Sequence, residues 1–143
     1  MTRNYTILAV LLLMTVAATV TANAQNDRSI TVNIPFDFVV ENQKLPAGEY
    51  RIQPVHSDRS DRLLLRSGGS RTLTTVFTLP KRTLDPARES RLVFKRYGDR
   101  YFLSQIWVHG ADVGRELLVG RAEQEAAKRH GSKNLTVLAQ KQD

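Results

Sequence analysis

The sequence predicts an all-β fold, an antiparallel β-sandwich or small barrel of about seven strands with one short C-terminal helix. Three observations support this prediction. Several short segments alternate apolar and polar residues, turn-forming residues separate these segments, and only residues 121–130 carry a helical pattern. Alternation is typical of strands with one face on a core and the other in water, which favours antiparallel over parallel pairing.

The first strand region has the clearest alternation, because every even-numbered residue from Ile30 to Val40 is apolar. Pro35 has no amide hydrogen for a strand ladder, so we expect an edge, a bulge or a break there. Residues 45–48 predict a turn, since Pro presets its own φ and Gly adopts conformations that other residues resist. The strand that follows is predicted to turn Tyr50, Ile52 and Val55 inward.

A hairpin is predicted around the turn at Ser67–Ser70. Leu63 and Leu65 mark the strand before this turn. The strand after it is predicted from Leu73 to Leu79, with Leu73, Phe77 and Leu79 facing inward. Two prolines and several charged residues then predict a loop over residues 80–89.

Residues 91–97 and 100–108 predict a second hairpin around the turn Gly98-Asp99. The second of these strands carries large residues on both faces, so we expect it to be central or covered on its second face. The predicted faces are Phe102, Ile106 and Val108 on one side and Tyr101, Leu103 and Trp107 on the other. A further strand is predicted over residues 113–119.

The periodicity changes after Gly120. Residues 121–130 contain strong helix formers, with acids early and bases late, and Gly131 predicts the helix end. The helix offers only alanines as an apolar face, so we expect weak anchoring by burial and a role as a docking element for a partner. Residues 135–139 predict a last short strand.

The first 24 residues predict a cleavable secretory signal peptide. Arg3 supplies a positive start, residues 7–20 form an uncharged apolar stretch, and Ala22 and Ala24 form an A-x-A cleavage site. The stretch is short for a bilayer span, which needs about 20 apolar residues; an uncleaved anchor is the alternative. Cleavage before Gln25 leaves residues 25–143 as a single β-rich domain, which we expect in the periplasm, outside the cell or at the cell surface.

The chain is basic and lacks cysteine. Lys and Arg number 21 against 14 Asp and Glu, which gives a formal charge of +7 before Arg3 is removed. Such a charge suits envelope lipids, acidic polysaccharide or extracellular nucleic acid, although it also simply keeps a domain soluble. The absence of cysteine excludes disulfides and a lipid-modified cysteine, so the fold depends on its core alone.

Two motifs carry a resemblance to known proteins, P-F-x-F over residues 35–38 and L-P-A-G-x-Y over residues 45–50. With the signal peptide, they make the chain similar to a group of small, uncharacterised exported bacterial proteins. Later matching residues are Phe94, Tyr97-Gly98, Tyr101-Phe102-Leu103, Trp107 and Gly114-Arg115-Glu116-Leu117. The chain departs from the group at residues 118–120, where a Pro and a Ser-Lys step are expected. The resemblance implies export and an all-β fold, and it carries over no catalytic residue.

The sequence contains no recognised motif for a metal, a cofactor or a nucleophile. It has no H-x-x-x-H or H-E-x-x-H pair, no G-x-S-x-G elbow and no phosphate-binding glycine loop. We therefore predict no metal and no cofactor, and we favour a non-enzymatic protein. The alternative is an exported hydrolase acting on an envelope polymer, with a site assembled from His56, Asp58, His109 and Asp112. Convergence of these side chains in one concave pocket would support it.

Five basic residues are predicted on outward faces of the hairpins: Arg51, Arg62, Arg66, Arg91 and Lys95. If their strands are neighbours, they form one positive face for an anionic polymer, with Tyr97 and Tyr101 near its end for stacking. The alternative is a solvated sheet face with core aromatics. The preferred function is binding or structural association in the cell envelope, and the expected partner is an envelope protein or an anionic polymer.

Overall fold

A computed structural model describes residues 29–56, 61–69 and 73–140 of the chain. The predicted signal peptide and its cleavage residues Ala22, Ala24 and Gln25 lie outside these ranges. The described residues contain ten strands and one helix: β1 Ile30–Ile34, β2 Phe38–Val40, β3 Gln43–Leu45, β4 Gly48–Pro54, β5 Arg62–Ser67, β6 Leu73–Arg82, β7 Arg91–Tyr97, β8 Arg100–Trp107, β9 Val113–Leu117, α1 Arg121–Arg129 and β10 Ser132–Leu138. The predicted all-β class with one short C-terminal helix is confirmed. No helix within the described ranges is long and apolar enough to cross a membrane.

The strands form one mixed sheet that curls around a core without closing. Its order is β1-β4-β5-β6-β9-β8-β2-β3, and β7 pairs with β8 and carries β10. β6 links the two halves, because its first part pairs with β5 and its second part with β9. In the described part of the chain no ladder joins β10 to β1. The Gln140 amide bridges this gap by donating to the Thr31 carbonyl oxygen at 2.8 Å.

The predicted alternation of the first strand region is confirmed. Ile30, Val32 and Ile34 of β1 are buried in the main core, together with residues of β4 and β5. Pro35 ends β1 and separates it from β2, as its missing amide hydrogen predicts. The turn before β4 also forms as expected, since the Asp37 carboxylate accepts a 3.0 Å hydrogen bond from the Ala47 amide. Val55, predicted inward, is exposed instead because β4 ends at Pro54.

β8 is central, as predicted, but its faces differ from the prediction. It pairs antiparallel with β7 and β9 and parallel with β2, and this parallel pair is an exception to the expected pairing. A bulge in the ladder with β7 shifts the register at Ser104, so the alternation changes phase. As a result Leu103 and Ile106 both belong to the main core, whereas Phe102 belongs to a second cluster.

The inward face predicted for β6 is wrong. Phe77 is 48% exposed and Leu79 is 54% exposed, whereas Thr74, Val76 and Thr78 are buried; the side chain of Leu73 lies outside the described part. Pairing with β5 sets this phase, because inward-facing residues must lie opposite one another across a ladder. β5 accordingly aligns its buried Leu63 with Val76 and its buried Leu65 with Thr74. β6 also continues through Pro80 to Arg82, where a loop was predicted.

The helix α1 covers the outer face of β8. Ala122 and Ala126 pack on Val39, Tyr97 and Phe102, which form the second cluster with them. The side chain of Glu123 is buried beside them, and it accepts a 3.1 Å hydrogen bond from the Tyr97 hydroxyl. The predicted helix is therefore confirmed, but its alanine face is occupied by its own sheet.

Candidate ligand cleft and the predicted basic residues

The five predicted basic residues lie in two separate groups. Arg51 on β4 is directly opposite Arg66 on β5, and Arg62 lies further along the same outer face of β5. Arg91 and Lys95 lie on β7, which pairs with β8 and β10 and not with β5. The five side chains therefore do not form the single face expected if their strands were neighbours.

The group on β7 is engaged within the protein. The Arg91 guanidinium lies over the Trp107 ring at 5.7 Å, and Lys95 Nζ is 3.9 Å from Glu123 Oε1. The aromatic residues predicted to stack on a ligand are also occupied. Tyr97 is buried, and both burial and the neighbouring Glu123 carboxylate raise its pKa. Tyr101 stacks on Phe36 with ring centroids 4.0 Å apart.

The three described residues of the hydrolase alternative do not all line one site. His109 and Asp112 line two clefts that share Ile30 and Val108, and His56 lines neither of them. Asp58 lies outside the described part of the chain. No group of three or more His, Asp or Glu side chains in the described ranges is placed to hold a metal ion.

A concave site does occur at the end of the sheet where β4, β8 and β10 finish. One cleft of about 340 Å³ opens here, with apolar walls from Ile30, Ile52, Leu63, Ile106, Val108 and Val113. A second cleft, of about 630 Å³, shares Ile30 and Val108 with the first, adds Leu138, and has the polar or charged residues Ser29, Arg88, Glu89, Ser90, His109 and Gln140. We refer to the two together as the mouth cleft. Several of its wall residues belong to the main core, so the cleft is an opening into the interior of the curled sheet.

Arg115 supplies a cation to the smaller cleft, which Asp112 also lines. β9 pairs Arg115 with the buried Ile106 of β8 and places it among the apolar walls. Thr78 holds the guanidinium with two hydrogen bonds, from Nε to the side-chain oxygen at 2.9 Å and from Nη2 to the carbonyl oxygen at 3.0 Å. The Arg115 side chain is thus fixed in one orientation before any ligand binds.

The electrostatic state of Arg115 follows from its surroundings. Burial lowers its pKa, and the Asp61 carboxylate opposes part of this effect. The guanidinium remains protonated at neutral pH, because its unperturbed pKa lies far above that value. It forms no ion pair within the described residues, and its bonds to Thr78 leave Nη1 available. A cation with free N–H groups among apolar walls is suited to a single anionic group on an otherwise apolar molecule.

Sequence reasoning missed Arg115 because a charged residue is normally assigned to the solvent face of a strand. A signal was present nonetheless, since Val113, Arg115 and Leu117 alternate with Gly114 and Glu116. That alternation puts Arg115 on the same face as Leu117, which the structure buries.

Neither a protein-family model, nor a curated protein, nor a solved structure matches the chain.

Proposed function

We propose that this chain is an exported binding protein without enzymatic activity, and that the mouth cleft holds a small apolar molecule carrying one acidic group. The observation that supports this most directly is the position of Arg115, which Thr78 orients among the apolar walls of the cleft. The cleft volume lies within the range of small-molecule pockets. Export is motivated by the signal-peptide pattern of residues 1–24.

The apolar walls and the cation have separable roles in this proposal. Burial of a hydrocarbon chain against Val108, Val113 and Leu138, which keep exposed apolar surface, provides affinity without regard to the ligand's charge. The Arg115 guanidinium then discriminates in favour of an acid, because a charged hydrogen bond formed away from water contributes about 1.5–3 kcal/mol. An acid and the alcohol of the same chain length should therefore bind with different affinities.

Calorimetric titration of residues 25–143 with dodecanoate and with dodecan-1-ol tests the proposal. We expect dodecanoate to bind about tenfold or more tightly than the alcohol. Arg115→Met should abolish this preference while leaving alcohol binding intact, which also shows that the variant is folded. Arg129→Met, at the exposed end of α1, is the matched control and should behave like the wild type. Failure of both ligands to bind the wild type, or an unchanged preference in Arg115→Met, would contradict the proposal.

A further inference from the structure

An exposed apolar patch lies on the outer face of β5 and β6, away from the mouth cleft. Phe77 and Leu79 project from β6, and Leu64 is half-buried on the same face of β5. Phe77 and Leu79 are each about half exposed. We call Leu64, Phe77 and Leu79 the apolar patch; exposed apolar surface on one face of a soluble domain marks interaction sites. Leu118 and Val119, which directly follow β9, are also about half exposed.

Three arginines border the apolar patch. The Arg62 guanidinium lies over the Phe77 ring at 5.1 Å. Arg51 and Arg66 lie directly opposite each other across the ladder between β4 and β5. Arg51 also donates a 3.1 Å hydrogen bond to Ser29 Oγ.

The acidic residues near the apolar patch cancel this charge only in part. Glu116 is neutralised by Lys81, whose Nζ lies 2.7 Å from its carboxylate. Glu41 accepts a hydrogen bond from the Phe77 amide at the edge of the patch, and Glu49 accepts one from Gln140; both donors are neutral and supply no compensating cation. Arg62 and Arg66 form no ion pair within the described ranges.

We propose that this face docks on a lipid membrane that contains anionic headgroups. Phe77 and Leu79 would enter the boundary between headgroups and acyl chains, while Arg62 and Arg66 contact the phosphates. A soluble polyanion would engage only the arginines and leave the apolar side chains in water. Because the face combines both kinds of group, a membrane surface is the complementary partner. This proposal does not depend on the mouth cleft.

Sedimentation of residues 25–143 with lipid vesicles tests the inference. We expect binding to vesicles of phosphatidylcholine mixed with phosphatidylglycerol, weak binding to phosphatidylcholine alone, and loss of binding as salt is raised. The double variant Phe77→Ser, Leu79→Ser should bind the mixed vesicles about tenfold less tightly, because it removes apolar surface that would be buried. Leu84→Ser is the matched control, since Leu84 is fully exposed on the loop after β6.

A second variant separates the charge from the apolar contribution. Arg62→Gln, Arg66→Gln should reduce the salt dependence and the preference for phosphatidylglycerol, whereas Arg129→Gln should not. Three outcomes would overturn the proposal: equal binding of both vesicle types, wild-type binding by the Phe77→Ser, Leu79→Ser variant, or retention on immobilised heparin without vesicle binding. Self-association that disappears in the Phe77→Ser, Leu79→Ser variant would also overturn it, by identifying a second copy as the occupant.

Discussion

At the residue scale, close packing restricts which residue types fit at particular positions. Gly114 on β9 is the clearest case, because the ring of Trp107 lies across it. A β-carbon at this position would lie 2.5 Å from Trp107 Cε3. Trp107 is only 5% exposed, and its ring nitrogen donates to Gln105, so the ring has little freedom to move. The absence of a side chain at Gly114 is therefore a packing requirement.

We expect Gly114→Ala to destabilise the protein by about 1–3 kcal/mol, the usual cost of inserting an atom into a filled site. Urea unfolding followed by Trp107 fluorescence measures the effect. Gly69→Ala is the control, since a β-carbon there meets nothing within 4 Å. Equal unfolding midpoints for the two variants would show that the ring of Trp107 does not lie over Gly114.

Asp37 gives the protein a defined response to acid. The Ala47 amide hydrogen bond and the Lys44 ammonium, 3.1 Å away, lower its pKa. A carboxyl group with a lowered folded-state pKa stabilises the fold above its unfolded pKa, and this contribution is lost as the pH falls through the folded value. We expect Asp37→Asn to be less stable than the wild type at neutral pH, with the difference vanishing in acid below both pKa values. Urea unfolding over a pH series checks this, and a difference that persists or grows in acid would refute it.

At the element scale, α1 is an integral part of the domain. The sequence-based hypothesis of a docking helix depended on its small apolar face, which offers only alanines. Small side chains instead allow the helix to lie close to β8, where Ala122 and Ala126 meet Phe102. The buried Glu123 is matched by the Tyr97 hydroxyl. The helix therefore closes the second cluster and has little of this face left for another protein.

A pair of adjacent alanines tests this placement. Ala126→Asp puts a charge into the second cluster, and we expect a loss of several kcal/mol, as is usual for a buried charge without a partner. Ala127→Asp places the same residue on the exposed side of the helix and should change stability by about 0.5 kcal/mol or less. Urea unfolding distinguishes the two variants. Similar losses of stability in both variants, or no loss in either, would contradict the docking of α1 on β8.

The strands show where local patterns determine structure and where they do not. Residues 30–40 and the turn at Gly98-Asp99 were predictable, because alternation and a positive φ are encoded in neighbouring residues. The inward face of β6 was not predictable, since its larger apolar residues lie on the outer face. Only the pairing with β5 determines which residues of β6 point inward. The bulge at Ser104 likewise depends on the alignment of two strands. A local sequence window does not contain such long-range registers.

At the scale of the whole molecule, function depends on which strands are neighbours. The five basic residues were each expected on outward faces, but their grouping required the sheet order. β10 and β1 separate β7 from β4, so the predicted single face divides in two. The mouth cleft arises in the same way. Its walls come from strands far apart in sequence, and neither its shape nor the role of Arg115 follows from any one segment.

Export is the other property of the whole chain that we propose. Expression of the full sequence in a Gram-negative bacterium should yield a periplasmic or secreted protein whose intact mass corresponds to residues 25–143. Ala24→Arg should block processing, because signal peptidase requires a small residue at this position. Asn23→Ser is the control, because it preserves the A-x-A pattern of Ala22 and Ala24. A mature protein that retains residues 1–24 would contradict cleavage.

Direct observation of the arginine side chains gives the sharpest test of the proposed ligand site. In NMR spectra of residues 25–143, the Arg115 Nε–H should be protected from exchange by its 2.9 Å bond to Thr78. Addition of dodecanoate should shift this signal and the methyl signals of Val108, Val113 and Leu138, and leave the Nε–H signal of Arg129 unchanged. Shifts confined to Arg62 and Arg66, or no shift at Arg115 when dodecanoate is bound, would contradict the proposal that the mouth cleft binds an acidic apolar ligand.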